Sequence, residues 1–267
     1  MNGWVAALAA MCMSLAGGAS AAPRVAIIID DLGYRQSDGL RAVGLPGPIA
    51  VAVLPGTPLA KSLARQAHAA GKEVIVHLPL EASVDDGLEE PGGIRLDTTR
   101  AAFSKAFDAA VAGVPHAVGL NSHRGSLLTR HPGHMSWLME EIGRQDGWYF
   151  VDSFTTPRSV ALDIAAEHGV PAARRDVFLD ARLDSESIAR EFERLKRIAR
   201  RHGAAIGIGH PFPETLAFLE EALPTLADEG IRLVPLSSIV LSPRPSAVAE
   251  RDAPPRQAGE PVLAGGL

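Results

Sequence analysis

Short apolar runs recur along the chain and alternate with segments of helical periodicity. Strands are expected at Val25–Asp30, Ile49–Leu54, Glu73–Leu78, Ala117–Asn121, Trp148–Asp152, Val177–Leu179, Ala204–Gly209 and Arg232–Pro235. Several of these runs are continuously apolar, which suits parallel strands covered on both faces. Helices fill the gaps. Thr57 stands where a cap would, with Pro58 at the first helical position and Gly71 as a stop. Between Asp184 and His202, Ile188, Phe192, Leu195 and Ile198 or Ala199 recur at helical spacing, with Glu early and Lys/Arg late, as the helix dipole prefers. A further helix is expected from Pro213 to Gly230, kinked or split at Pro224.

Such repeated strand–helix alternation predicts an α/β fold. A barrel and an open doubly wound sheet both satisfy the pattern. No G-x-G-x-x-G or G-x-x-x-x-G-K-[ST] follows a strand, and the absence of these phosphate-cradling loops favours a barrel. The length of 267 residues and a 46% hydrophobic composition allow one barrel domain with a sizeable core. Its expected limits are residues 23–241. Before them, an apolar run from Val5 to Ala16 and an A-x-A site at Ala19–Ala21 read as a signal peptide over residues 1–22. The run is shorter than the roughly 20 residues of a membrane span, so no stable span is expected after cleavage. The protein is therefore expected to be exported, to the periplasm or beyond. Residues 242–267 are rich in Pro, Ala and Gly and read as a disordered tail. The only cysteine, Cys12, lies in the leader, which excludes thiolate metal sites and cysteine nucleophiles from the mature chain. A net charge of -5 leaves no footprint for nucleic acid, and the basic face of the Asp184–His202 helix reads as a solvated surface.

Polar residues gather at one end of the expected strands. In "VAIIIDDLGY", Asp30 and Asp31 follow five apolar residues directly. His77 lies near the end of the third strand, with Glu81 four residues on. Asn121 and His123 follow the fourth in "GLNSHRGS", and Asp152 ends the fifth. Asp176 and Asp180 bracket "VFL", and His210 ends "AIGIGH". The C-terminal strand ends of a parallel barrel meet on one face and carry its active site. Histidine and aspartate together suit a catalytic divalent metal with an open position for water. Two adjacent aspartates offer one ligand and one base, and a further histidine can protonate a leaving group. A turn or helix cap at "DDLG" would use either aspartate alone. His131 and His134, in "RHPGH", are interrupted by Pro132 and Gly133 and read as a helix start rather than a ligand pair. His68, His116, His168 and His202 read as surface residues.

The stretches "VAIIIDDLGY", "VIVHLPLE", "GLNSHRGS", "RRDVFLD" and "AIGIGHPFPET", in this order, resemble the divergent polysaccharide deacetylase family of the glycoside hydrolase/deacetylase superfamily, over roughly Arg24 to Val240. The resemblance implies a distorted (β/α)7-type barrel in a single exported domain. It implies Asp30 as base, Asp31 as metal ligand and His210 as catalytic histidine. The better-known deacetylases carry a second histidine four residues after the first, where this chain has Glu81. The resemblance then leaves His77 and His123 as the histidine ligands of a divalent metal, with Zn2+ the expected ion. Arg124 or Arg175 stands in for the arginine motif, with Glu81, Asn121, Asp152, Asp176 and Asp180 as supporting residues.

The implied function is removal of acetyl groups from an envelope polysaccharide by a metal-dependent hydrolase, with a carbohydrate as partner. Two rivals share the residues: a non-catalytic glycan- or partner-binding protein on the same barrel, and a metal hydrolase of a peptide or lipid amide.

Overall fold

The apolar runs line up as a nine-stranded sheet in which every pairing among the described residues is parallel. A computed structural model describes residues 21–84 and 90–242, so all but the last two residues of the expected leader and all but the first of the expected tail lie outside the described residues. The strands are β1 (Arg24–Leu32), β2 (Ala50–Val53), β3 (Glu73–Leu80), β4 (Ala117–Arg124), β5 (Tyr149–Asp152), β6 (Ala172–Arg174), β7 (Val177–Phe178), β8 (Ala204–Gly209) and β9 (Arg232–Leu233). The intervening helices are α1 (Gln36–Val43), α2 (Ala60–Ala69), α3 (Arg100–Gly113), α4 (Pro132–Gly143), α5 (Ala161–Glu167), α6 (Ser185–His202), α7 (Pro213–Ala222) and α8 (Leu236–Val240).

The spatial order is β6-β5-β4-β3-β2-β1-β8-β7, with β9 added beside the start of β1. β6 and β7 are two halves of one extended segment. The first half pairs with β5 and the second with β8, and only Arg175 and Asp176 separate them. Counting that segment as one stave, the sheet curls into a distorted barrel of seven. The expected strand at Val177–Leu179 thus has a partner half at Ala172–Arg174 that the pattern did not mark. That half is three residues long, and only its middle residue is buried.

Strand side chains divide by parity into two apolar layers. Ile27, Ile29, Val51, Val53, Val74 and Val76 pack outward with the helices, against residues such as Leu63, Phe107 and Leu195. Ala26, Ile28, Ala50, Ala52, Ile75, Val151, Ala173, Ile206 and Ile208 form the inner layer. Alanines suit so narrow an interior. Leu236, Ile239 and Val240 of α8 close its lower end, where α8 packs against β1, β5, β6 and β8.

α6 and α7 form where the helix signals of the sequence place them. The Asp184 side chain accepts from the Ser187 amide at 2.8 Å, and the helix ends at Gly203 in the left-handed conformation. α7 ends at Ala222, and Pro224 lies in the short 3-10 turn that follows. Thr57 is the exception. Its hydroxyl donates back to the Leu54 carbonyl at 2.8 Å, making a turn, and α2 begins later, at Ala60. No helix among the described residues is long and apolar enough to cross a membrane.

Candidate metal centre

The inner parity of each strand, continued one step upward, builds the site. Ala26 and Ile28 lead to Asp30, Ile75 to His77, and Ile206 and Ile208 to His210. Asn121 sits directly opposite His77 in the β3–β4 ladder, and His123, two residues on, shares its face. Asp31 has the wrong parity and would point outward in a regular strand. A register shift between Ile29 and Leu32 corrects this. Asp31 takes the left-handed conformation, with φ of 59°, within that bulge. Both carboxylates thereby reach His77: Asp30 Oδ2 lies 3.6 Å and Asp31 Oδ1 3.1 Å from its Nε2. A non-glycine residue in this region is costly and is held by its surroundings. The same conformation recurs at Arg124 and Phe154, on neighbouring strand ends.

Three donor atoms converge. Asp31 Oδ1 is 3.0 Å from His123 Nδ1 and 3.1 Å from His77 Nε2, and the two ring nitrogens are 3.0 Å apart. Among the described residues this is the one group of three or more such side chains placed to share an ion. Its edges approach the edge of about 3.3 Å that a tetrahedral ion with bonds of about 2.0 Å requires. Asp31 Oδ1 is buried and accepts no properly directed hydrogen bond. Such an oxygen is costly unless something positive meets it. The donor set therefore fits a divalent cation.

Asn121 sets the protonation pattern. Its amide nitrogen donates to Asp30 Oδ1 at 2.8 Å, and a carboxylate can only accept. The amide oxygen must then face His77 Nδ1, 2.7 Å away, so that nitrogen carries a proton and donates. Nε2 is left to face Asp31 and the centre. Burial disfavours a charged His77, but the charges of Asp30 and Asp31 outweigh it and raise its pKa. A cation at the centre competes with a proton for Nε2, so metal affinity should weaken as pH falls. For Asp31, burial is outweighed by its contacts with His123 and His77, which hold its carboxyl far below the usual range. Asp30 is pushed up, chiefly by burial, against the opposing charges of His77 and His210. An Asn121→Ala change removes both hydrogen bonds at once. Metal affinity should fall roughly 10–100-fold, the usual loss for an orienting partner, with the fold intact by circular dichroism. Unchanged affinity in a chelator competition would show that His77 needs no orienting.

His210 faces the centre from β8. Asp180 Oδ1 accepts from His210 Nδ1 at 2.9 Å, and Oδ2 accepts from the His210 amide at 2.6 Å and the Thr215 hydroxyl at 2.8 Å. His210 Nε2 is thereby aimed inward, 3.9 Å from Asp31 Oδ2. Burial opposes charge on His210, but Asp180, with Asp30 and Asp31, raises its pKa to about 9.

The remaining expected residues hold backbone rather than the centre. Glu81 accepts from the Leu96 amide at 2.6 Å and pairs with Arg95 at 3.5 Å. Asp152 accepts from the Phe154 amide and the Ser159 hydroxyl. Arg175 donates to the carbonyls of Ser153 and Phe154, with its guanidinium over the Phe178 ring. Asp176 accepts from the Ile206 amide at 2.7 Å. One Arg124 nitrogen donates to the Val84 carbonyl. His131 caps α4, accepting from the His134 amide at 3.4 Å. Glu90 also reaches the centre's edge. Its Oε1 lies 3.9 Å from His123 Nε2 and its Oε2 accepts from the Tyr34 hydroxyl. No pattern in the sequence marks it, because it reaches the site from a loop.

A family model described as divergent polysaccharide deacetylase matches residues 27–240. An uncharacterized protein of Haemophilus influenzae is 33% identical over 249 residues, spanning 91% of this chain and 88% of its own. The uncharacterized protein YibQ of Escherichia coli is 35% identical over 237 residues, spanning 89% and 72%. The crystal structure of an uncharacterized protein from Agrobacterium tumefaciens C58 superimposes with a TM-score of 0.79 at 25% identity, over 83% of this chain and 91% of that one. The catalytic domain of a peptidoglycan N-acetylglucosamine deacetylase from Eubacterium rectale shares the fold, with a TM-score of 0.50 at 13% identity over 84% and 91%.

Proposed function

This chain belongs to the divergent polysaccharide deacetylase family, and from that premise we propose that it is a metal-dependent hydrolase that removes acetyl groups from an envelope polysaccharide. The observation that carries the reading is the convergence of Asp31 Oδ1, His77 Nε2 and His123 Nδ1, with the carboxylate oxygen otherwise unsatisfied. Two imidazoles and one carboxylate suit zinc, leaving a position open. When bound, the ion would lower the pKa of water and polarise the acetyl carbonyl.

The chain's own residues divide the proton work. Asp30 is buried beside the ligands, and Asn121 holds one of its oxygens. Its raised pKa brings it nearer the range where a general base works best. It takes the proton of the attacking water. His210, held by Asp180 with a proton on Nε2, gives that proton to the departing sugar nitrogen or oxygen. The carbonyl C–N or C–O bond breaks, and acetate and the free amine or alcohol leave. The apolar run at Val5–Ala16 with the A-x-A site supports action outside the cytoplasm, in the periplasm or secreted.

Elemental analysis and acetate release test the reading together. Purified protein should carry about one divalent ion and release acetate from chitin-like oligomers, peptidoglycan fragments or acetylated xylan. A metal-loaded protein that releases none from any of the three is not this hydrolase.

A further inference from the structure

We propose that the cleft between the β1–α1 and β8–α7 loops is a subsite for a single pyranose ring, bound through its C–H face by Tyr34 and Phe212. The inference rests on the function proposed above and names how that site takes its sugar.

The cleft, of about 260 Å³, includes Asp31 and His210 in its wall, so it opens directly onto the metal centre. Tyr34 and Phe212 also line it, and they are 50% and 39% exposed. Large aromatic side chains are normally buried, and here two are kept in water beside a reactive centre. Both are held in place. The Tyr34 hydroxyl is bound by Glu90, which also reaches toward His123. Phe212 lies between Pro211 and Pro213, which fix the backbone on either side, and its ring packs 5.7 Å from that of His210. Rings already ordered lose little entropy when a ligand arrives.

The other lining groups are polar. Arg35 and Asp38, paired at 3.7 Å, stand in the same cleft. Aromatic faces next to hydrogen-bonding groups match a pyranose, which presents a C–H face and a hydroxyl edge. An acyl chain would leave Arg35 and Asp38 without use. The volume lies below the roughly 300–1,000 Å³ of drug-sized sites, so the cleft takes one ring while the rest of a glycan extends into solvent.

Titration calorimetry with N,N′,N″-triacetylchitotriose tests this on the metal-loaded full chain, with Tyr34→Ala, Phe212→Ala and the double variant alongside. Each single change should weaken binding about tenfold, the scale of one lost aromatic face, with metal content unchanged. Binding as tight in the double variant as in the wild type overturns the subsite, whether or not acetate is released. So does a wild type that does not bind the oligomer. A wild type that binds through these rings without releasing acetate supports the subsite and shows that this oligomer is held without turnover.

Discussion

An Asp30→Asn protein keeps its metal and loses turnover about 100-fold or more, the usual scale for removing a general base. The substitution preserves size, and the new side chain can still accept from Asn121 through its amide oxygen. The three converging donors are untouched. What disappears is the group that takes a proton at the centre. The two readouts are metal content by elemental analysis and initial rate of acetate release. Wild-type turnover in the variant would remove Asp30 from the chemistry. The pH profile carries the same information. Asp30 acts when deprotonated, and its pKa is raised, so the wild-type rate falls as pH drops through that value. His210 acts when protonated, so the rate also falls as pH rises. That alkaline limb lies at or below about 9, because a cation on Asp31 cancels part of the charge that holds the His210 proton.

Replacing His123 with Ala should lower metal affinity by more than the roughly 10–100-fold seen when only an orienting partner is lost. His123 supplies one corner of the triangle. Without it, Asp31 Oδ1 and His77 Nε2 remain 3.1 Å apart, and two protein donors are too few for a stable site. His123 is a cleaner probe than His77, whose loss would also leave Asn121 Oδ1 without its donor. A chelator competition gives the affinity, and thermal unfolding of the metal-free forms shows whether the fold survives. Equal affinity in wild type and variant would exclude His123 as a ligand.

These expectations began with residue types at strand ends, and that is where the sequence was most legible. Continuous apolar runs announced parallel strands, and the polar residues that end several of them marked the face that carries the converging donors. Position at a strand end does not say which way a side chain turns, however. Asp152 and Asp176 stand at strand ends, yet Asp152 accepts from the Phe154 amide and the Ser159 hydroxyl, and Asp176 accepts from the Ile206 amide. Asp31 shows the converse. Regular alternation would send it away from Asp30, and only the bulge with its left-handed residue brings the two together. The tautomer of His77 was illegible too, since it depends on an amide orientation fixed across three strands. Glu90 and Tyr34 come from loops, where contact depends on a path through space that periodicity does not encode.

The divided seventh stave makes the barrel a hoop with a clasp. In an unbroken ring every stave is bonded along one length to both neighbours, and the girth is fixed by those ladders. Here the ring closes through a segment that lets go of β5 before it takes hold of β8. Arg175 sits at that changeover and grips the carbonyls of Ser153 and Phe154 on the β5 side, while its guanidinium lies over Phe178 on the β8 side. It spans the join as a pin spans a buckle. The loop carrying Asp180, and through it the aim of His210, begins just beyond the pin. Backbone bonds meet at the same point, from the Arg175 amide to the Asp152 carbonyl at 3.0 Å and from the Asp176 amide to the Ile206 carbonyl at 2.9 Å, so the side chain straps a join that two consecutive peptide groups already close.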